Sequence, residues 1–422
     1  MVAAFAVAPL AGLPLLAFSL PFFLYARNLG SLAFSMPELI LLCAIAGAIL
    51  HALWRQVRNR SLSFSLASLA TELDGPIALL LAAALLSLLA SEVLRVSLRD
   101  LRTLILEPVA AFYLCVWLLR RRGDAGWLLA GLLAGGSCAA LLALYQYFFT
   151  DHVVAVEGSR RILGPYLSPN HLGLYLGRIL PMALSVALFL PVYRWIALLV
   201  CGIVGVALLL TFSVGAWIAS FLAVATALLL WRRKALVALA AATCVILVAA
   251  VPLLSIDRIS SHLDVTRGTT FFRLQLWEAS LRMIRDHPAL GVGMDNFLYQ
   301  YRSTYLLPDA VADPNLSHPH NLVLNFWLQM GLPGLAALLW LSLALVRTAR
   351  GLLRSPRPAF ERAVLVGVIG ALVDLVVHGM VDNSYFLVDL AFQFWLLIGL
   401  VVFVRRQGTS PCPTALKPNR VN

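Results

Sequence analysis

Apolar runs long enough to cross a bilayer recur along almost the whole chain. Twelve of them lie near residues 5–26, 37–54, 76–91, 103–119, 126–149, 171–190, 193–212, 214–231, 235–254, 321–346, 362–381 and 384–404. A helix needs about 20 apolar residues to span the hydrocarbon core, and backbone in lipid must satisfy its own hydrogen bonds. The expected fold is therefore an all-α polytopic membrane protein with about 12 transmembrane helices, the shorter runs tilted or re-entrant. Charged residues make up only 12% of the 422 positions, which excludes a soluble enzyme, a disordered chain and a secreted disulfide scaffold. The six cysteines (43, 115, 138, 201, 244 and 412) form no C-x-x-C pair, so neither a disulfide framework nor a zinc site is expected. No basic segment precedes the first run at Phe5, which reads as a first span and not as a cleaved signal.

The net charge of +12 is distributed as loop charge and does not indicate nucleic-acid binding. With the N-terminus in the cytoplasm, the inside regions hold 19 of the Arg and Lys residues, including RQVRNR, RRRGD, WRRK and RTARGLLRSPR, and the outside regions hold 12. Short basic loops stay inside, so the expected topology is N-in, C-in. Residues 1–404 read as a single transmembrane domain and 405–422 as a disordered cytoplasmic tail. Two polar segments then face outward: 151–170, and a long loop at 255–320 between spans nine and ten. Within that loop, Phe272, Leu276 and Met283 recur at helical spacing, with Arg273, Glu278, Arg282, Arg285 and Asp286 on the other faces. This predicts an amphipathic helix capped by Thr269 or Thr270 and ended by Pro288.

Chemistry has a few places to sit. Ser317–Asn321 (SHPHN) is the densest polar cluster, and an imidazole there is the natural general base. The plainer alternative is a pair of interfacial histidines bonded to headgroups. His318 lies two residues from His320 across Pro319 and is expected to point elsewhere and support binding. No HExxH sequence or carboxylate at ligand spacing accompanies them, so no metal site and no cofactor is expected. Arg160 and Arg161 suit a diphosphate, or equally a lipid headgroup. Arg267 and Arg273 near the start of the loop helix suit an anion. Among ionisable groups inside spans, Glu107, Asp374 and His378 read as structural. Arg178 and Asp389 are placed to reach an outer site. No Walker A, GxGxxG or outward DxD sequence occurs, so an enzyme here would stabilise a departing phosphate with arginine.

Three segments carry a resemblance. His320-Asn321, nine residues, then Gly331-Leu332-Pro333-Gly334 resembles the H-[N/S/Q]-x9-G-x-x-G signature of the O-antigen ligase and polymerase superfamily (Wzy_C). Arg161-Ile162-Leu163-Gly164 followed by Pro169-Asn170 looks like its R-x-x-G-x4-P-N stretch. Arg273, Trp277, Pro288 and Gly291-Val292-Gly293 look like its R-x3-W…P-x2-G-x-G loop helix. Leu335-Ala336 replace the usual Thr-Gly, and Ser213-Val214-Gly215 lacks the arginine of an S-R-G stretch. The resemblance implies a GT-C-like membrane glycosyltransferase of the bacterial inner membrane with a periplasmic active site, most similar to O-antigen ligases of the WaaL type. It would transfer an undecaprenyl-diphosphate-linked glycan to a lipid A–core sugar, with membrane lipids around it and no nucleic-acid partner. By the same resemblance His320, Arg161 and Arg273 are catalytic, and Arg160, Asn170, Arg178, Arg267, His318, Asn321 and Asp389 bind substrate. The alternatives are a polymerase of the same superfamily and, from another class, a secondary transporter; the latter would bring paired repeats with broken helices, which the sequence does not display.

Overall fold

The computed structural model describes residues 1–29, 32–59, 66–156, 159–235, 237, 268–311 and 314–408. Expected span nine, the start of the long loop with Arg267, and the tail from residue 409 lie outside the described residues. The chain is an all-α polytopic membrane protein. Among the described residues eight helices are long and apolar enough to cross a membrane: Met36–Arg58, Leu94–Leu118, Arg122–Phe149, Pro169–Phe189, Pro191–Leu210, Val214–Trp231, Leu322–Arg354 and Val388–Gln407. A further 21-residue helix, Ala359–Gly379, carries buried Glu361, Asp374 and His378. Among the described residues sheet is confined to two short antiparallel pairs, β1–β2 (Arg27–Leu29 with Leu32–Phe34) and β3–β4 (Val153–Val156 with Ser159–Ile162).

Local sequence explains where the elements differ from simple spans. The run at 5–26 is not one helix. Pro9 and Pro21 open the 3₁₀ turns that divide it into α1 (Val2–Val7), Pro9–Ala11, α2 (Gly12–Ser19) and Leu20–Phe22, as proline removes a donor and crowds the preceding turn. After α3 (Met36–Asn59) and α4 (Asp74–Ser87), α5 (Leu94–Asp100) widens to a π turn over Leu101–Leu106 before α6 (Glu107–Leu118). Pro108 cannot donate to the carbonyl of Leu104, and the Tyr385 hydroxyl does so at 3.2 Å. The chain continues through α7 (Arg122–Phe149), α8 (Pro169–Phe189), α9 (Arg194–Leu210) and α10 (Val214–Trp231). Next come α11 (Gly268–Asp286), α12 (Phe297–Gln300), α13 (Leu322–Arg354), α14 (Ala359–Gly379) and α15 (Val388–Gln407). Two boundaries shift from expectation. α13 runs on through Arg354, taking in Arg347 and Arg350, which were expected in a loop. Arg405–Gln407, expected in the tail, complete α15, where Arg405 pairs with Glu72.

Packing relies on small residues, which let helix backbones approach in the absence of a hydrophobic drive between lipid-facing surfaces. A Cβ on Gly131 would lie 2.4 Å from the Pro14 carbonyl oxygen and one on Gly135 2.7 Å from that of Phe18, so α7 lies tight against α2. Gly177 faces Asp374 in the same way, seating α14 against α8. α8 and α14 are antiparallel: Gly173 lies near His378, and Met182 and Ser185 near Gly367. The N-terminal ends of α8, α13 and α15 therefore gather around the C-terminal end of α14, and the polar groups concentrate there.

Candidate active site

The loop helix α11 forms where the spacing predicted it, ending at Asp286 ahead of Pro288, although Thr269 and Thr270 already lie within it. Arg273 and Trp277 are one turn apart and share a face. The Trp277 indole N–H donates to the Pro319 carbonyl at 3.0 Å, so α11 is fastened over the SHPHN segment. Its far end is fastened too. Gly331 breaks α13 at φ 64°, ψ −163°, a conformation that side chains resist. The turn after Pro288 docks into this break. The Val292 N–H donates to the Leu328 carbonyl at 2.7 Å and the Leu332 N–H to the Pro288 carbonyl at 3.2 Å. A Cβ on Gly331 would sit 2.1 Å from the Ala289 oxygen, and one on Gly291 2.2 Å from the Leu328 oxygen. Gly291 and Gly331, one from each motif, thus form one interlock, which holds α11 over the start of α13.

Under α11, four side chains converge. His320 Nδ1 lies 2.9 Å from Asp382 Oδ1, His318 Nε2 is 4.0 Å from the same oxygen, and Arg273 Nη2 is 4.0 Å from Asp382 Oδ2. Among the described residues no hydrogen bond holds the Arg273 guanidinium, and Asp382 Oδ2 is buried without a hydrogen-bond partner. The His318 and His320 rings are 4.2 Å apart, centroid to centroid. His318 therefore does not point away, as expected from the intervening Pro319, but faces the same carboxylate. The reason is local. His320 has φ 50°, a left-handed conformation that turns the chain sharply and is held only where surroundings fix it. Asn321 fixes one side, accepting from the Val323 and Leu324 N–H groups as the cap of α13 and donating to the Met380 carbonyl at 3.1 Å. Both ends of its amide are thereby bonded to backbone, of α13 and of Met380.

Electrostatics give the pair its chemistry. Burial alone would raise the Asp382 carboxyl, but the hydrogen bond and charge of His320 hold it below the usual carboxylate range. An ionised carboxylate only accepts, so His320 donates from Nδ1; a neutral ring held in that way has its lone pair on Nε2. His318 is a quarter exposed yet closely surrounded. Burial first, and the neighbouring His320 second, push it down to about 3, so it is neutral near pH 7. His318, His320 and Asp382 also place one donor atom each within 4.8 Å of the others, a geometry able to hold a metal ion.

The other expected site residues are distributed differently. Arg160 and Arg161 are successive residues of β4, so their side chains leave opposite faces. Arg160 turns out to the Thr150 carbonyl at 3.2 Å and over the Tyr147 ring, and the pair does not form one clamp. Arg161 turns in, donating to the Thr211 carbonyl and to Asn170 Oδ1, each at 2.8 Å. Asn170 is thereby a support for Arg161. Asp389 is fully buried between Tyr166 and His171, at 2.9 Å from each. Arg178 is also fully buried, donating to the carbonyls of Ser384 and Leu390. It braces the 380–387 turn that carries Asp382 and does not reach the outer surface. Asp382 is the residue that sequence reasoning missed: it falls between two apolar runs, 62 positions from its partner, and belongs to no motif read from the chain.

Residues 196–339 match the O-antigen ligase family model. This segment is similar to the O-antigen ligase superfamily. That segment contains α11, His320 and the Gly331 break, and excludes Arg161, Asp382 and Asp389. The chain is also similar to an O-antigen ligase of Pseudomonas aeruginosa, at 27% identity over 249 residues, or 56% of this chain and 54% of that protein. It spans about half the length of this curated relative.

Proposed function

We propose that the protein is an O-antigen ligase, transferring a glycan from undecaprenyl diphosphate to a sugar hydroxyl of lipid A–core at the periplasmic face of the inner membrane. The observation that carries this reading is the His320–Asp382 pair with Arg273 beside it, seated beneath the loop helix. As the acceptor oxygen bonds to the anomeric carbon, its proton passes to His320 Nε2. The bond from that carbon to the diphosphate breaks, and the lipid diphosphate leaves with the electron pair. Asp382 holds the tautomer that makes Nε2 the base and stabilises the imidazolium that forms. Arg273, with Arg161 on β4, offsets the charge growing on the leaving diphosphate, work that a metal ion does in other transferases. Deletion of the gene should leave lipopolysaccharide without O-antigen and full-length glycan accumulating on the carrier lipid. Lipopolysaccharide bearing single repeat units would instead indicate the polymerase of the same superfamily, and normal lipopolysaccharide would remove both.

A further inference from the structure

We propose that His318, His320 and Asp382 form an inhibitory binding site for a borderline transition-metal dication such as Zn²⁺, which switches off the base by changing its tautomer. The inhibitory part rests on the reading of His320 as the base; the binding part does not. One donor atom from each residue lies within 4.8 Å of the other two. Two ligands at the usual zinc distance stand about 3.3 Å apart in a tetrahedron. The separations here are 2.9 Å for His320 Nδ1 and 4.0 Å for His318 Nε2, each to Asp382 Oδ1, one inside and one outside that edge. Two imidazoles and one carboxylate with a fourth position open select zinc, copper or nickel over magnesium and calcium. The ligands are fixed beforehand, since Trp277 holds Pro319 and Asn321 caps α13 on either side of His320. Arg273 opposes the ion from the other carboxylate oxygen, 4.0 Å away, and weakens the site without occupying the donor positions.

The consequence follows from the ring. A metal on Nδ1 takes the lone pair that remains once the Nδ1 proton has gone. A neutral imidazole must carry that proton on its other nitrogen, so it moves through solvent to Nε2, and Asp382 changes from hydrogen-bond acceptor to ligand. No proton is gained or lost overall, yet Nε2–H is now a donor and cannot accept the proton of a hydroxyl.

Cobalt(II) titrated into the purified full-length protein tests the site by its visible absorption. One equivalent should bind with tetrahedral bands and be displaced by Zn²⁺. His318→Ala and Asp382→Asn should each weaken binding by at least about tenfold, with His152→Ala, at an exposed histidine, as a control that leaves it unchanged. Zn²⁺ should slow glycan transfer over the range in which it displaces cobalt, and EDTA should restore the rate. The proposal is overturned if no stoichiometric cobalt site exists, if both variants bind as wild type does, or if bound Zn²⁺ leaves transfer unaffected. Loss of transfer in His320→Ala with no cobalt binding in wild type would remove the metal site and leave the base standing. Cobalt binding with full transfer by His320→Ala would remove the base.

Discussion

Two arginines and one histidine carry the predictions at the residue scale. Arg161 and Arg273 offer planar guanidinium forks, which a lysine ammonium cannot reproduce. Arg161→Lys also breaks the fixed pair of bonds to Thr211 and Asn170. Both lysine variants should insert normally and lose at least about tenfold in transfer, measured on purified protein with lipid-linked donor. Near-normal rates in either would remove that residue from the site. His318 gives a prediction about stability. Its imidazole sits at about 3 in the fold, against about 6.5 in an unfolded chain. The unfolded state therefore binds the proton first, and the stabilising effect of keeping His318 neutral is present above about pH 6.5 and lost progressively as pH falls toward 3. His318→Gln should flatten that loss, so thermal unfolding in detergent at pH 7 and pH 4.5 should differ less in the variant than in wild type. An equal difference would show that His318 is not held neutral by the fold. Sequence alone singled out His320 and Arg273 because each falls in a segment that resembles a motif of the superfamily. It misread His318 and the Arg160–Arg161 pair because backbone geometry, a left-handed residue and a strand, sets where adjacent side chains point.

At the scale of elements, the central feature is the interlock between the turn after α11 and the broken helix α13. The periodicity of 268–286 made α11 legible, and the apolar runs made the long helices legible. The break in α13 was not legible as a break, because Gly331 and Pro333 lie in an otherwise unbroken helical pattern and the turn that needs the gap lies some forty residues upstream. Gly331→Ala places a methyl against the Ala289 carbonyl at 2.1 Å and in a left-handed conformation. It should destabilise the fold by at least about 1 kcal/mol and lower transfer although it touches no reacting group. Melting temperature and rate together check this. An alanine variant as stable and active as wild type would mean that the turn does not depend on the gap. Trp277→Phe keeps one aromatic ring and loses the indole N–H bond to Pro319, about 1 kcal/mol, with part of the ring's packing, and should reduce transfer more than stability if that bond holds His320 in place.

On the scale of the whole molecule, the apolar repeat announces the membrane fold, whereas the site is assembled from segments far apart in sequence. In the proposed site β4 supplies Arg161, α11 supplies Arg273, the start of α13 supplies His320, and the turn between α14 and α15 supplies Asp382. The first three are visible as motifs. The last becomes visible only when α14 packs antiparallel to α8 and Arg178 anchors the turn through Ser384. In the proposed reaction arginine does the work of a cation, so transfer should proceed at full rate in excess EDTA. Loss of activity in chelator, restored by Mg²⁺ or Mn²⁺, would contradict this. The most direct test of the account is glycan transfer by purified His320→Ala and Asp382→Asn, given undecaprenyl-diphosphate-linked donor and lipid A–core. General-base catalysis is worth about 10²–10⁴-fold, so His320→Ala should lose that much turnover with donor binding largely kept, and Asp382→Asn should follow it in the same direction. Wild-type turnover in His320→Ala would contradict the account.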